Sequence, residues 1–387
     1  MSGVRMVQVD GSPAAVAVLA GALREALDGG PAVLPHPPCG STPTAAARPG
    51  AALVIATSGS TGLPKYVVLS AMALQASGLA TVERLGGPAR WLLALPAEHV
   101  AGAQVVVRSL LAGAAPIVQD LRDGFRPDDF ATATAQLAEG RRYTSLVPTQ
   151  LARLLDAGGA ALDALRSFAA VLVGGAALDP WLHARALAAG ARVVTTYGMS
   201  ETAGGCVYDG VPLQGVRVDV DETGRIRLGG PTLADGYLGN PADTAAAFGD
   251  GWFRTGDLGR WRGGRLEVLG RADDMIITGG ENVAPAAVER VLAAQAGVRA
   301  ACVVGLPDVE WGQVVAAAVV ADPGNGPHEP DAVRAGRLRA AVLAELGRAA
   351  VPRVLHTVPE IPLRGIGKPD RHAMAVLLDA RQHNPSE

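Results

Sequence analysis

Between about residue 51 and residue 200, short apolar runs alternate with longer stretches of helical period. The runs fall at 51–56, 91–95, 115–119, 143–147, 169–173 and 192–196, and the helical stretches at 70–85, 102–112, 128–138, 149–157 and 180–189. Apolar runs this short, bounded by turn residues, suit strands buried on both faces. Their alternation with helices predicts a mostly parallel, helix-covered sheet, an α/β fold. Ligands of such sheets bind beyond the carboxyl ends of the strands, and the polar motifs of this chain fall there. Residues 31–50, rich in proline and carrying Gly40 and Gly50, read as a loop or linker.

The rhythm changes after residue 210. Val216–Asp221 alternates strictly, Glu222-Thr223-Gly224 reads as a turn, and Arg225–Leu228 returns as a hairpin partner. Trp252-Phe253 and Arg265–Leu269 extend this β-rich region. From about 271 a third section begins with a hairpin-like stretch, followed by a helix at 285–295, strands near 300–304 and 313–320, and a helix at 331–347. A last strand near 353–358 leads into a Gly-rich tail. The expected organisation is a large N-terminal domain, 1–270, holding the mostly parallel sheet and the β-rich subdomain. It is followed by a small α+β C-terminal domain, 271–387. No internal repeat is visible.

Composition mainly excludes. At 387 residues, two or three domains of roughly 100–200 residues fit. Charged residues make up 18% and the formal net charge is −3; a nucleic-acid binder would show a basic excess. Cys39, Cys206 and Cys302 are scattered and odd in number, which implies neither a disulfide framework nor a metal cluster and suits reduced thiols. No signal segment and no apolar run long enough for a membrane span is present, so a cytoplasmic protein is expected. Exposed apolar faces in so alanine-rich a chain also make a homodimer an expectation.

The chemistry begins at Thr57-Ser58-Gly59-Ser60-Thr61-Gly62-Leu63-Pro64-Lys65, directly after the first apolar run. Glycines let backbone approach phosphates, hydroxyls donate to their oxygens, and Lys65 adds charge. No Gly-Lys-Ser/Thr triplet opens a helix, so this is not the Walker form. Gly174-Gly175-Ala176 ends another strand in a small-residue turn that could admit a flat ring. Tyr197-Gly198-Met199-Ser200-Glu201-Thr202 brings a ring, hydroxyls and a carboxylate together. Asp257, in Gly251–Leu258, suits a ribose diol, and Gly270–Asp274 and Gly365–Lys368 complete the set.

In this order and spacing the segments resemble the acyl-adenylate-forming superfamily, which includes acyl- and aryl-CoA ligases, carrier-protein adenylation domains and luciferases. The resemblance covers residues from about 51 to 372. Within it, the chain is similar to the o-succinylbenzoate–CoA ligases of menaquinone biosynthesis. The stretch before the first motif is only about 50 residues, and the segments 140–147 and 197–212 look like those of actinobacterial versions.

The resemblance implies an AMP-forming acid–thiol ligase that uses ATP, Mg2+ and coenzyme A on an aryl acid. Thr57, Ser58, Gly59, Ser60, Thr61, Gly62 and Lys65 would close over the β- and γ-phosphates. Gly174, Gly175 and Ala176 would line one face of adenine and Tyr197 the other, with Gly198, Met199 and Thr202 completing the nucleotide site. Ser200 would donate to the α-phosphate, Glu201 would hold Mg2+, Asp257 would accept from the ribose, and Arg271 would add a contact. Lys368 would bridge the attacking carboxylate and the α-phosphate. Asp273 matches the hinge, with Asp274 beside it as the alternative pivot, and Gly279-Gly280 falls where the small domain's loop would face the pantetheine tunnel. Cations placed where charge develops lower the barrier of such an attack, and an ionised carboxylate needs no general base.

His99 corresponds to a histidine found near the acyl pocket in this superfamily. The second carboxylate of o-succinylbenzoate needs a cationic or strongly donating partner. Arg108 is the candidate and Arg142 its rival. Nine residues separate His99 from Arg108, about 180° around a helix, so the two need not share a face. Tyr143, Trp181 and Trp311 read as packing, and Cys206 as a small hydrophobe. The chain departs from the family's pattern at Tyr66, where glycine usually follows the loop lysine. A loader of carrier-protein thiols is the nearest rival activity. A relict, non-catalytic nucleotide binder is disfavoured by the joint presence of Lys65, Glu201, Asp257 and Lys368.

Overall fold

A computed structural model describes residues 3–38, 45–58, 64–322, 329–364 and 368–383. The apolar runs form strands, but they divide between two sheets. Five parallel strands run in the order Ile117–Val118, Arg90–Leu93, Arg142–Leu146, Ala170–Val173, Val193–Met199. Gly204–Tyr208 and Val211–Pro212 then add antiparallel. Alternate residues explain the apolar runs. Trp91 and Leu93 point into one core, packed by the helices Pro13–Leu27, Ala71–Arg84 and Val100–Leu111. Leu92 and Ala94 point into another, packed by Pro127–Ala135, Pro148–Ala157, Gly159–Arg166 and Pro180–Ala188. Both faces are therefore dry, as a parallel sheet requires.

The first run, Ala51–Ser58, belongs instead to a five-stranded sheet ordered Arg5–Gln8, Val33–His36, Ala51–Ser58, Pro64–Ser70, Gly236–Tyr237. The physical reason is local. After Ser58 the chain returns at once, pairing Ser58 with Pro64 and Thr57 with Lys65 in an antiparallel hairpin. The helix starts only after the return strand, at Ala71, capped by Ser70. Residues 31–50, expected as a loop, contain the strand Val33–His36. It meets the next strand in register at Val33 and Leu53, and Pro35 has no N–H to extend that ladder.

The expected hairpin is present: Arg217–Val220 pairs with Arg225–Gly229, which continues to Trp252–Arg262 and Arg265–Arg271. A further sheet, Glu281–Val283, Ile276–Thr278, Gly312–Ala321, Val298–Asp308, carries the helices Pro285–Ala293 and Asp331–Leu346, with Val354–Thr357 parallel to Gly312–Ala321. The expected Gly-rich tail is corrected here: the chain continues as Lys368–Pro369, paired with Leu363–Arg364, and the helix Arg371–His383. Met374 and Leu378, four residues apart on that helix, are fully buried against this sheet. Among the described residues no helix is long and apolar enough to cross a membrane.

Candidate active site

The hairpin Ala51–Ser58/Pro64–Ser70 carries the hydroxyl- and glycine-rich segment at its tip; Gly59, Ser60, Thr61 and Gly62 lie outside the described residues. At its neck the Thr57 hydroxyl donates to the carbonyl of Lys65 at 3.2 Å, so this hydroxyl is used by the hairpin itself. Tyr66 packs into a small core with Leu34, Val68 and Leu238, and its carbonyl accepts from the Leu238 N–H at 2.8 Å. The aromatic ring in place of the usual glycine thus pins one arm of the hairpin. Lys65 leaves the neck toward Asp243, pairing with it at 2.7 Å.

Ser200, Glu201 and Thr202 form a single 3-10 turn after the strand Val193–Met199. Ala203 then adopts a left-handed conformation, φ 51°, which costs an alanine energy and needs support. That support comes from two helices: the carbonyl of Ala203 accepts from Ser77 Oγ at 3.0 Å and from Gln104 Nε2 at 2.7 Å. Thr202 is fully buried, and its hydroxyl donates to the carbonyl of Gly204 at 2.8 Å while accepting the Met199 N–H at 3.0 Å. These bonds hold the turn that carries Ser200 and Glu201. Glu201 is half-buried, and its Oε1 accepts from the Tyr237 hydroxyl at 2.9 Å.

The small-residue positions are required by close approach. A Cβ on Gly174 would stand 2.2 Å from Thr196 Oγ1, and one on Gly198 would stand 2.2 Å from the carbonyl oxygen of Gly204 and 2.7 Å from Gly205 Cα. The second clash is with backbone that cannot move without opening the strand pair. Gly198→Ala is therefore expected to weaken ATP binding by about tenfold or more, the scale of an overpacked site. Unchanged affinity in a titration would contradict this packing argument. Gly175, φ 81°, turns the chain beside Gly174, with Ala176 following.

The hydroxyl of Tyr197 donates to Oδ2 of Asp257 at 2.8 Å. Burial, and then the negative charge of Asp257, push the phenol well above its ordinary range, so it remains a donor. Arg271 stands opposite Asp257 in the strand pair, with Nε 3.9 Å from Oδ1; its other arm binds Asp273 at 2.7 Å. Tyr197, Asp257, Arg271 and Asp273 thus form one polar chain reaching the turn at 272–274. The next residue, Asp274, pairs with Arg371 at 3.5 Å. Arg371 also grips Glu289 through both carboxylate oxygens, Oε1 at 2.5 Å and Oε2 at 3.0 Å.

His99 precedes the helix Val100–Leu111 and is exposed. Arg108, in the helix's last turn, is 3% exposed, so the two do not share an environment. The guanidinium of Arg108 donates to the Tyr208 hydroxyl at 3.3 Å and lies over the Trp91 ring at 5.5 Å. Its Nε is buried without a hydrogen-bond partner, a costly state that an anion would relieve. Arg142 opens its parallel strand one residue before Tyr143, the register partner of the Trp91 that Arg108 covers, so both arginines lie toward the amino ends of the strands; Arg142 donates to the Leu137 carbonyl. Cys206 is fully buried and its thiol pushed up to about 12 by desolvation, so it carries no thiolate chemistry.

In the small domain, Gly279 and Gly280 form the tip joining Ile276–Thr278 to Glu281–Val283. Gly279 lies against Trp311, where a Cβ would meet the ring at 2.5 Å. Lys368 opens a two-residue strand, Lys368–Pro369, whose pairing sets Lys368 opposite Arg364. Among the described residues no three His, Cys, Asp or Glu side chains gather as a metal cage. Mg2+ needs no such cage, since it takes one or two carboxylates and fills its shell with water and phosphate oxygens. A single oriented carboxylate such as Glu201 fits it.

The hairpin Ala51–Ser58/Pro64–Ser70, the Ser-Glu-Thr turn after Val193–Met199 and the Tyr197–Asp257 pair are the structural elements to set beside known proteins. The chain matches the AMP-binding enzyme model over residues 6–238 and the AMP-binding enzyme C-terminal domain over 287–368. It belongs to the AMP-binding enzyme family. One relative is the "probable 2-succinylbenzoate–CoA ligase" of Mycobacterium tuberculosis, 49% identical over 326 residues that span 84% of this chain and 83% of the relative. Among solved structures, wild-type E. coli MenE with a bound phenylether-linked analogue of OSB-AMS superposes with a TM-score of 0.75 at 27% identity, covering 98% of this chain and 88% of that one. The amide bond synthetase McbA from Marinactinospora thermotolerans also superposes at 0.75, with 29% identity over 97% of this chain and 80% of its own. The turn that carries Asp273 lies between the two matched regions.

Proposed function

We propose that this chain ligates o-succinylbenzoate to coenzyme A through an acyl-adenylate, releasing pyrophosphate and then AMP, in menaquinone biosynthesis. The observation that carries the reading is the 49% identity, sustained over 84% of the chain, to a mycobacterial enzyme of that name. The site residues agree with it chemically. The succinyl carboxylate attacks the α-phosphorus, forming a C–O–P bond while the bond to pyrophosphate breaks. Lys65 meets the departing phosphates, Ser200 donates to the α-phosphate, and Asp257 and Tyr197 hold ribose and adenine. Mg2+, when bound at Glu201, neutralises phosphate charge. Lys368 bridges the two reacting groups. After the small domain turns at Asp273, the thiol of coenzyme A enters past Gly279 and Gly280, attacks the acyl carbon and expels AMP, its proton passing to solvent. His99, exposed at the head of its helix, borders the acyl entrance, and buried Arg108 takes the aromatic carboxylate.

Solved relatives include an amide bond synthetase, so the acceptor needs its own test. Without coenzyme A, the protein should convert ATP and o-succinylbenzoate to about one equivalent of bound adenylate, identified by mass after acid quench. Adding coenzyme A should then release AMP and start multiple turnovers. Turnover with a carrier-protein thiol or an amine, and none with coenzyme A, would overturn the proposed acceptor.

Asp257→Ala offers a check on the nucleotide half. Losing hydrogen bonds to a charged group costs about 1.5–3 kcal/mol, so ATP affinity should fall tenfold or more by calorimetry. An unchanged isotherm would remove Asp257 from the site.

A further inference from the structure

Two residues outside every motif stand between the groups assigned to the phosphates and the metal. Tyr237 ends the two-residue strand Gly236–Tyr237, which pairs with Val67 and Val68 on the return arm of the phosphate hairpin. Its hydroxyl donates to Glu201 Oε1 at 2.9 Å, while Nζ of Lys65 lies 5.0 Å from its ring centroid. One side chain therefore touches both Lys65 and Glu201. It is itself braced: its N–H donates to Thr244 Oγ1 at 2.9 Å, and its ring meets Phe248 edge-on at 5.8 Å. Asp243, in the helix Pro241–Ala247 capped by Asn240, holds Lys65 by the ion pair at 2.7 Å.

We propose that Tyr237 is a positioning residue that orients Glu201 for Mg2+ and Lys65 for the polyphosphate, and that Asp243 parks Lys65 until nucleotide displaces it. The inference rests on the reading of Glu201 and Lys65 given above. A glutamate side chain has several rotamers; tying Oε1 to a fixed hydroxyl selects one and leaves Oε2 for the ion. Partners that orient a ligand in this way typically contribute 10–100-fold to metal affinity. The ring acts differently on Lys65. Its face attracts the ammonium without neutralising it, so the lysine stays available to an anion. Asp243 does neutralise it, and a carboxylate and a phosphate compete for the same cation.

The two functions of the tyrosine separate by substitution. Tyr237→Phe keeps the ring and removes the hydroxyl; Tyr237→Leu removes both. ATP binding to the full chain is measured by calorimetry in EDTA and across a Mg2+ series, with melting temperatures recorded alongside. In EDTA, Tyr237→Phe should bind ATP like the parent protein, while its half-saturating Mg2+ rises about tenfold or more. Tyr237→Leu should also weaken Mg2+-free ATP about threefold. Asp243→Asn should tighten Mg2+-free ATP by a similar factor and leave the Mg2+ dependence unchanged. A purely structural role would lower melting temperature and weaken ATP equally with and without Mg2+, which would overturn the inference; so would a Tyr237→Phe protein with parental Mg2+ dependence. If the parent's own ATP affinity ignores Mg2+, the metal role of Glu201 falls and takes that half of the inference with it. The lysine half is still decided by the EDTA affinities of Tyr237→Leu and Asp243→Asn.

Discussion

Lys368→Ala should cut the rate of adenylate formation by about a hundredfold or more, the cost of removing one preorganised donor from a developing charge. Carboxylate and α-phosphate are both anionic, and their approach concentrates negative charge; a cation shared between them acts mainly in the transition state. The lysine's backbone is held in place. The strand Lys368–Pro369 pairs with Leu363–Arg364, and the N–H of Asp370 donates to the Pro362 carbonyl at 2.8 Å. Three residues after the lysine, Arg371 clamps Glu289 and donates to the Val303 carbonyl at 2.6 Å. Thiolation of presynthesised adenylate does not use this charge and should keep most of its rate. Equal losses in the two half-reactions would contradict the role.

Arg108→Ala should raise KM for the diacid by about thirtyfold or more, because truncating one partner of a buried charge pair costs 2–5 kcal/mol. The expectation comes from the arginine's surroundings: 3% exposure, Trp91 and Tyr208 as neighbours, and a buried Nε without a hydrogen-bond partner. Because alanine also leaves a cavity, the comparison is made against an analogue lacking the ring carboxylate. Parent protein should strongly prefer the diacid, Arg108→Ala should treat the two acids nearly alike, and Arg108→Lys should recover part of the preference. An unchanged ratio for Arg108→Ala would show that the aromatic carboxylate binds elsewhere.

The candidate site is legible in the sequence wherever its residues are contiguous. The segments around Thr57, Gly174, Tyr197 and Asp257 are short motifs at strand ends, and the structure brings Tyr197 to Asp257 and Asp257 to Arg271. Tyr237 and Asp243 lie outside the motifs because their contacts are purely spatial: 36 residues separate Tyr237 from Glu201. The Asn240-Pro241 pair did carry a readable helix-start signal that would have placed Asp243 in a first turn. The bonds of Thr202 within its own turn are equally invisible in sequence, since they depend on where Met199 and Gly204 come to lie. The division into two sheets was hidden because a hairpin return at Pro64 and a helical crossover look alike as one apolar run followed by a helix. Glycines at 365 and 367 mark the tail as Gly-rich, whereas the helix behind them shows only in the spacing of Met374 and Leu378.

The measurement that bears most directly on the proposed activity is pyrophosphate release with ATP, Mg2+ and coenzyme A across an acid panel. The panel contains o-succinylbenzoate, benzoate, salicylate and 2,3-dihydroxybenzoate. The account predicts sustained release with o-succinylbenzoate, dependent on coenzyme A for multiple turnovers, and kcat/KM for the other acids lower by orders of magnitude. Silence with o-succinylbenzoate beside turnover of a simpler aryl acid would preserve the adenylating chemistry and contradict the substrate.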